Sequence, residues 1–297
     1  MIPWLMLLLA PRAVDIPPGK TALVIEPHHD DHTTDYGMGG LIAKMVDRGY
    51  DIWYVRASND EKDGASGYPH NDMINLEESE AAGRILGMKG VYSLNWRNDY
   101  MDPTPLQQLR EQLIFLIRKH RPDVVLGHDP WAHYDRNPDH RKVARAAAEA
   151  VWMAGLANVH PEHIDAGLAT HRVPYLFLKA RVDYGRGHEA NAFVELDEKQ
   201  VMRKRKAYVA HRNVYASPGM AASVRKQLEA DGLVVDELQG KSDLDAAVLI
   251  DEWHMDWVSR KRGREYGVRY AEPYWFRDEF DHLPGLKDYI RENEAKK

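Results

Sequence analysis

The feature that most limits how this chain folds is an alternation of short apolar runs with helix-length amphipathic stretches. Residues 21–26 (TALVIE), 51–57 (DIWYVRA), 91–94 and 123–127 (DVVLG) read as strands. Between them, residues 35–48, 77–86, 105–120 and 138–154 read as helices, the first two stopped by Gly49 and Gly87. Leu106, Leu109, Leu113, Leu116 and Ile117 repeat at helical spacing. Strands separated by helices pair in parallel, because a parallel partner needs a long crossover. The expected fold class is therefore α/β, a mostly parallel sheet with helices on both faces. Beyond about residue 172 the pattern loosens. Residues 174–179 and 192–196 read as further strands, and 197–211, 220–231 and 243–266 as a helical C-terminal extension of the same domain. The expected division is an arm at 1–20, one domain at 21–275 and a tail at 276–297.

Composition narrows the chemistry. The chain has 297 residues, no cysteine and 15 histidines. Without cysteine there is no disulfide framework, thiolate nucleophile or Cys-held metal cluster. Any metal must be bound by His, Asp or Glu. The net charge of −6 argues against a nucleic-acid partner. The apolar residues 1–10 are not preceded by Lys or Arg, so they read as an arm packing on the body, or on a neighbouring subunit of a homo-oligomer, rather than as a secretion signal. No run approaches the roughly 18–20 apolar residues of a membrane span, and the expected location is cytoplasmic.

Two polar clusters follow strands. The first strand runs directly into Glu26-Pro27-His28-His29-Asp30-Asp31-His32. Adjacent carboxylates repel, and a divalent cation removes that cost. His28 and Asp31, three residues apart, can aim at one ion from a single turn, with Asp30 beside it to handle a proton. The second cluster, His128-Asp129-Pro130-Trp131-Ala132-His133-Tyr134-Asp135-Arg136-Asn137-Pro138-Asp139-His140, follows the strand 123–127. Asn137 suits a helix N-cap and Pro138 the first helical position, which puts His140 in a first helical turn. Two His and one carboxylate with an open position suit a catalytic zinc ion. The same donors also suit a non-haem iron oxygenase, or a non-catalytic module that binds metal or sugar.

These residues resemble a known family. His28-His29-Asp30-Asp31 is similar to the His-Pro-Asp-Asp motif of the PIG-L/LmbE-like N-deacetylases, and Asn137-Pro138-Asp139-His140 to their His-x-Asp-His motif. Lys204-Arg205-Lys206-Ala207-Tyr208-Val209-Ala210-His211 resembles their Lys-x-x-Ala-x-x-x-His helix. Gly37-Met38-Gly39-Gly40 and Tyr270-Ala271-Glu272 resemble shorter signatures. The resemblance covers roughly residues 21–275. It implies a Rossmann-like sheet and a zinc-dependent hydrolase, in which a zinc-activated water removes the N-acetyl group of an amino sugar or small glycoconjugate. Carried over by position, His28, Asp31 and His140 would be the metal ligands and Asp30 the general base. Asn137 and His211 would be further catalytic groups.

The chain departs from the family at three places. His29 stands for the motif's Pro, His32 for the Glu that usually follows, and Asn137 for the first His of His-x-Asp-His. Asn donates a hydrogen bond to an oxyanion but supplies no proton at neutral pH. That leaves His133, His211 or Asp30 itself to protonate the leaving amine. Gly37-x-Gly39-Gly40 lacks the third glycine of a dinucleotide loop, since residue 42 is Ile, and reads as close helix packing. The loop 59–67 reads either as a cover over the site or as plain solvated chain. Trp96, Trp131 and Tyr134 read as sugar-stacking groups or core. The basic run 202–206 reads as a solvated face, and His254 and His282 as structural or solvated.

Overall fold

The computed structural model describes residues 11–67, 69–98, 101–131, 135–179, 190–215, 218–277 and 286–294. His133, Tyr134, His282 and the first ten residues of the expected arm lie outside them. In chain order the elements are β1 (Arg12–Ala13), β2 (Thr21–Glu26), α1 (Gly39–Asp47), β3 (Asp51–Ser58), α2 (Asn71–Leu86), β4 (Gly90–Trp96), α3 (Leu106–His120), β5 (Val124–His128) and α4 (Pro138–Met153). They continue with α5 (Pro161–Asp165), β6 (Tyr175–Lys179), β7 (Ala192–Glu195), α6 (Glu198–Tyr208), α7 (Pro218–Ala230), α8 (Asp243–Glu265), β8 (Ala271–Arg277) and α9 (Leu286–Glu294).

Among the described residues eight strands form one sheet in the order β1-β7-β8-β6-β5-β2-β3-β4. The block β6-β5-β2-β3-β4 is parallel throughout, and β8 runs antiparallel to both β6 and β7. The expected α/β class with a mostly parallel sheet is thus what the chain forms. Chain direction around the sheet reverses at the β2/β5 pair, since β3 and β4 lie to one side and β6 to the other. Open α/β sheets bind ligands in the crevice beyond the carboxyl ends of strands at such a switch point. Both polar clusters begin there, at residues 26 and 128, the last residues of β2 and β5.

Alternation along β2 builds the two faces. Ala22 and Val24 pack with Leu41, Ile42 and Met45 of α1 and Val201 of α6. Leu23 and Ile25 pack with Leu109, Leu113 and Ile117 of α3 and Val143 and Ala147 of α4. A smaller cluster joins α7 to α8 through Ala221, Leu238, Ala246 and Ala247. No helix among the described residues is long and apolar enough to cross a membrane.

The glycines at 39 and 40 act by close packing. An added Cβ at Gly40 would fall 2.3 Å from Leu196 Cδ1 and 2.8 Å from Glu272 Oε1. That carboxylate accepts from the amides of Gly40 (3.0 Å) and Leu41 (2.8 Å), satisfying first-turn donors of α1 that have no intrahelical partner. It also takes Lys204 Nζ at 2.8 Å and the Tyr274 hydroxyl at 2.6 Å. Three signature segments of the sequence, 37–40, 204–211 and 270–272, therefore meet in one buried junction. The Leu196 methyl can turn aside, but four bonds pin Glu272. Gly40→Ala is expected to cost about 1–3 kcal/mol by overpacking, read as a lower denaturant midpoint with an unchanged m-value.

Element boundaries differ from expectation in informative places. Helix α2 starts at Asn71, six residues before Glu77. Its first turns bury Asn71 and Asn75, whose amides donate to the carbonyls of Glu61 (3.3 Å), Asp60 (3.0 Å) and Asp63 (2.8 Å). Helix α1 starts at Gly39, because residues 30–38 are spent on turns of the site loop. Strands β1 and β8 and the short helix α5 were not anticipated.

Candidate metal centre

The turn after β2 is shaped by its own side chains. The Asp31 carboxylate accepts from the His28 amide at 2.9 Å, and Thr33 and Thr34 hydroxyls donate back to the carbonyls of Asp30 (2.8 Å) and Asp31 (3.2 Å). The Tyr54 hydroxyl donates to the His28 carbonyl. Opposite this turn, Asn137 caps α4. Its Oδ1 accepts from the Asp139 amide at 2.8 Å, and Pro138 takes the first helical position. The cap aims His140 at the β2 turn.

The result is a three-donor cluster of His28, Asp31 and His140, all buried. His28 Nδ1 lies 3.1 Å from His140 Nε2 and 3.2 Å from Asp31 Oδ2, and His140 Nε2 lies 3.5 Å from Asp31 Oδ1. Ligands at 2.0–2.1 Å around a tetrahedral zinc ion are separated by about 3.3 Å. The donor set and its edge lengths therefore fit a divalent cation. Carboxylates also back both imidazoles. His140 Nδ1 faces Asp135 Oδ2 at 2.8 Å, and His28 Nε2 faces Asp139 Oδ2 at 3.4 Å. Such partners fix the tautomer and leave the inward nitrogen free to coordinate. Asp139 is held in turn by the Met101 amide at 3.2 Å.

Electrostatics prepare the cluster for a cation. Burial alone would raise the Asp31 carboxyl, but His140, Lys179 and His128 around it hold it well below the usual carboxylate range. Burial opposes charge on His28, yet bonds to Asp139 and Asp31 outweigh it and raise its pKa well above the usual value. Beneath the cluster Lys179 Nζ bonds the Asp31 carbonyl (3.1 Å) and pairs with Glu26 Oε2 (3.1 Å), which also contacts His128. Burial lifts the Glu26 carboxyl to about 7, against the pull of Lys179.

Asp30, beside the cluster, accepts a hydrogen bond from the Tyr215 hydroxyl. Tyr215 is placed by stacking on Tyr208, the last residue of α6, at 4.1 Å between centroids. The loop 59–67 reaches the same turn through Asp60, whose carboxylate accepts from the His29 amide at 3.0 Å. Asn213 ties that loop to α2, bonding Asn71 (3.0 Å) and Asn75 (2.7 Å) and accepting from the Ser66 amide at 2.9 Å. His211 is brought together with His29 and Glu78, in a second group next to the first.

Sequence reasoning named His28, Asp31 and His140, which the structure brings together, and Asp30, which it places alongside. It assigned no role to Tyr215, Asp135, Lys179 or Glu26. Asp135 and Glu26 stand within the quoted clusters, and Lys179 ends an otherwise apolar strand, a visible anomaly. Nothing in the sequence marks Tyr215. Of the aromatic residues, Trp96 packs with the α3–α4 face and bonds Gln112 at 2.8 Å, and Trp131 is 67% exposed. Asn137 Oδ1 is committed to the cap. Asn137→Ala is expected to cost about 1 kcal/mol, and Asn137→Ser to restore most of it, measured by urea unfolding.

Residues 23–151 match the family model described as PIG-L, GlcNAc-PI de-N-acetylase. Diacetylchitobiose deacetylase from Thermococcus kodakarensis is 33% identical over 186 residues, which are 60% of this chain and 64% of that protein. The chain thus matches a little under two thirds of that relative's length. The structure of N,N'-diacetylchitobiose deacetylase from Pyrococcus horikoshii, complexed with its inhibitor, aligns with a TM-score of 0.65 and 27% identity, covering 92% of this chain and 86% of that one. GalB, the 4-carboxy-2-hydroxymuconate hydratase of Pseudomonas putida KT2440, aligns with a TM-score of 0.61 and 21% identity over 89% of this chain and 99% of its own. That second likeness is one of fold alone.

Proposed function

The chain carries a PIG-L family domain, and from this premise we propose that it is a metal-dependent hydrolase removing N-acetyl groups from amino sugars of the chitobiose kind or small glycoconjugates. The observation that carries the reading is the meeting of His28, Asp31 and His140 at the switch point of the sheet, with Asp30 beside them. These three residues would hold the cation, with zinc the first choice for two imidazoles and a carboxylate. Bound there, such an ion supplies Lewis acidity toward water and an acyl carbonyl.

The chain's own groups divide the remaining work. Asp30 takes the proton of the attacking water as its oxygen bonds to the acyl carbon. It returns a proton to the amine nitrogen as the C–N bond breaks, so that acetate and a free amine leave. Tyr215 orients the Asp30 carboxylate through its hydroxyl. The Asn137 side-chain amide nitrogen, whose oxygen is held by the cap, serves as a hydrogen-bond donor to the acyl oxygen.

A hydrogen bond to a charged group is worth about 1.5–3 kcal/mol. Tyr215→Phe is therefore expected to lower kcat about ten- to a hundredfold with metal content unchanged, assayed by steady-state kinetics beside metal analysis. The reading as a whole is tested by acetate release from N,N'-diacetylchitobiose and N-acetylglucosamine with zinc supplied. Chelator-sensitive acetate release supports it. Iron-bound protein with oxygen-dependent turnover, or metal-loaded protein inert on every N-acetylated sugar, overturns it.

A further inference from the structure

We propose that the chain binds a second divalent cation, on His29, His211 and Glu78. The ligand atoms of these three residues lie within 4.8 Å of one another. They come from three separate elements: the turn after β2, the segment following α6, and α2. The two imidazoles are fully buried and meet edge to face, with centroids 5.1 Å apart. Among the described residues neither ring nitrogen of His211 has a hydrogen-bond partner. A third buried imidazole, His32, lies 5.8 Å from His211 between centroids, and both of its nitrogens are also without hydrogen-bond partners.

A neutral imidazole carries one donor and one acceptor. Burying these unpaired costs about 1–3 kcal/mol, so an orphaned pair in a folded interior points to something that binds there. The surroundings select a cation. His29 Nδ1 faces Asp60 Oδ2 at 3.4 Å, which leaves Nε2 as its ligand atom. Asp60 is itself held by Ser58 (2.6 Å) and Arg56 (3.3 Å). This is the same carboxylate-backed histidine that Asp135 and His140 form in the first centre. The Glu78 oxygens accept the Asn213 amide, at 3.0 and 3.1 Å, and the Arg212 amide, which leaves further lone pairs to face an ion. Two imidazoles and a carboxylate suit zinc or a similar transition ion.

The cation would tie the catalytic turn to α2 and to the segment that carries Tyr215, four residues beyond His211. It is a positioning ion, and it stands whether or not the substrate is an acetylated sugar. The test is metal content per chain after full-length protein is equilibrated with excess Zn2+ and freed of unbound metal. His211→Ala is expected to hold one ion fewer than wild type while retaining the ion lost in His140→Ala. Glu78→Ala, at a partly exposed helix position, reads the same loss if His211→Ala does not fold. An unchanged ion count in a folded His211→Ala or Glu78→Ala protein overturns the proposal. Acetate release plays no part in this readout, so failure of the hydrolase reading is separately visible.

Discussion

Asp31→Ala is expected to abolish metal binding at the first centre and, with it, activity. Asp31 is the one carboxylate among the three donors, and it also shapes the turn by accepting the His28 amide. Its loss has a second cost beneath the site. Lys179 and His128 lie 3.9 and 3.8 Å from Asp31 Oδ1, both buried. Removing one partner of a buried charge pair costs up to about 3–5 kcal/mol, and the cost here is smaller because Glu26 still balances Lys179 at 3.1 Å. The expected outcome is one metal ion fewer per chain, no detectable turnover and a urea midpoint lowered to match. Chelation of the wild type should reproduce the loss of turnover while Lys179 keeps both of its carboxylates, Asp31 and Glu26. An Asp31→Ala protein with wild-type metal content would remove this residue from the ligand set.

The second large effect is chemical rather than structural. Asp30→Asn keeps the shape of the side chain and still offers Tyr215 an acceptor, but an amide takes no proton at neutral pH. General-base catalysis contributes typically about 10²–10⁴ in rate, and kcat is expected to fall by that factor. Metal content should stay at the wild-type level, since Asp30 is not among the three grouped donors. Wild-type kcat in Asp30→Asn would transfer the proton work to another group. Paired with Asp31→Ala, the variant separates holding the ion from moving the proton, two adjacent carboxylates with different tasks.

Much of the fold was legible because its signals are local. The strands β2, β3 and β5 are runs of apolar residues, and α3 and α4 show clear helical spacing and caps. The start of α2 was not legible because its inner face is made of asparagines bonded to a loop, which no hydrophobic period records. Strand β8 was hidden by Glu272 and Pro273, residues that strands seldom carry. There Glu272 serves a helix across the sheet rather than the strand itself. In the site, the His28/Asp31 spacing and the capped His140 could be read directly, since each depends on one turn of chain. The partnership of Tyr215 with Asp30 spans 185 residues and depends on how α6 docks, which no local pattern encodes.

The bond from Glu272 to the start of α1 also spans 232 residues, and it has a consequence for synthesis. The segment matching the family model ends at residue 151, yet the opening amides of α1 and the Lys204 charge are first satisfied when β8 arrives. At roughly 5–20 residues per second on the ribosome, that interval is about 10–50 s. The last donor of the first centre, His140, is made 132 residues (272 − 140) before Glu272, so for about 7–26 s of that interval the nascent site has its ligands without its finished frame.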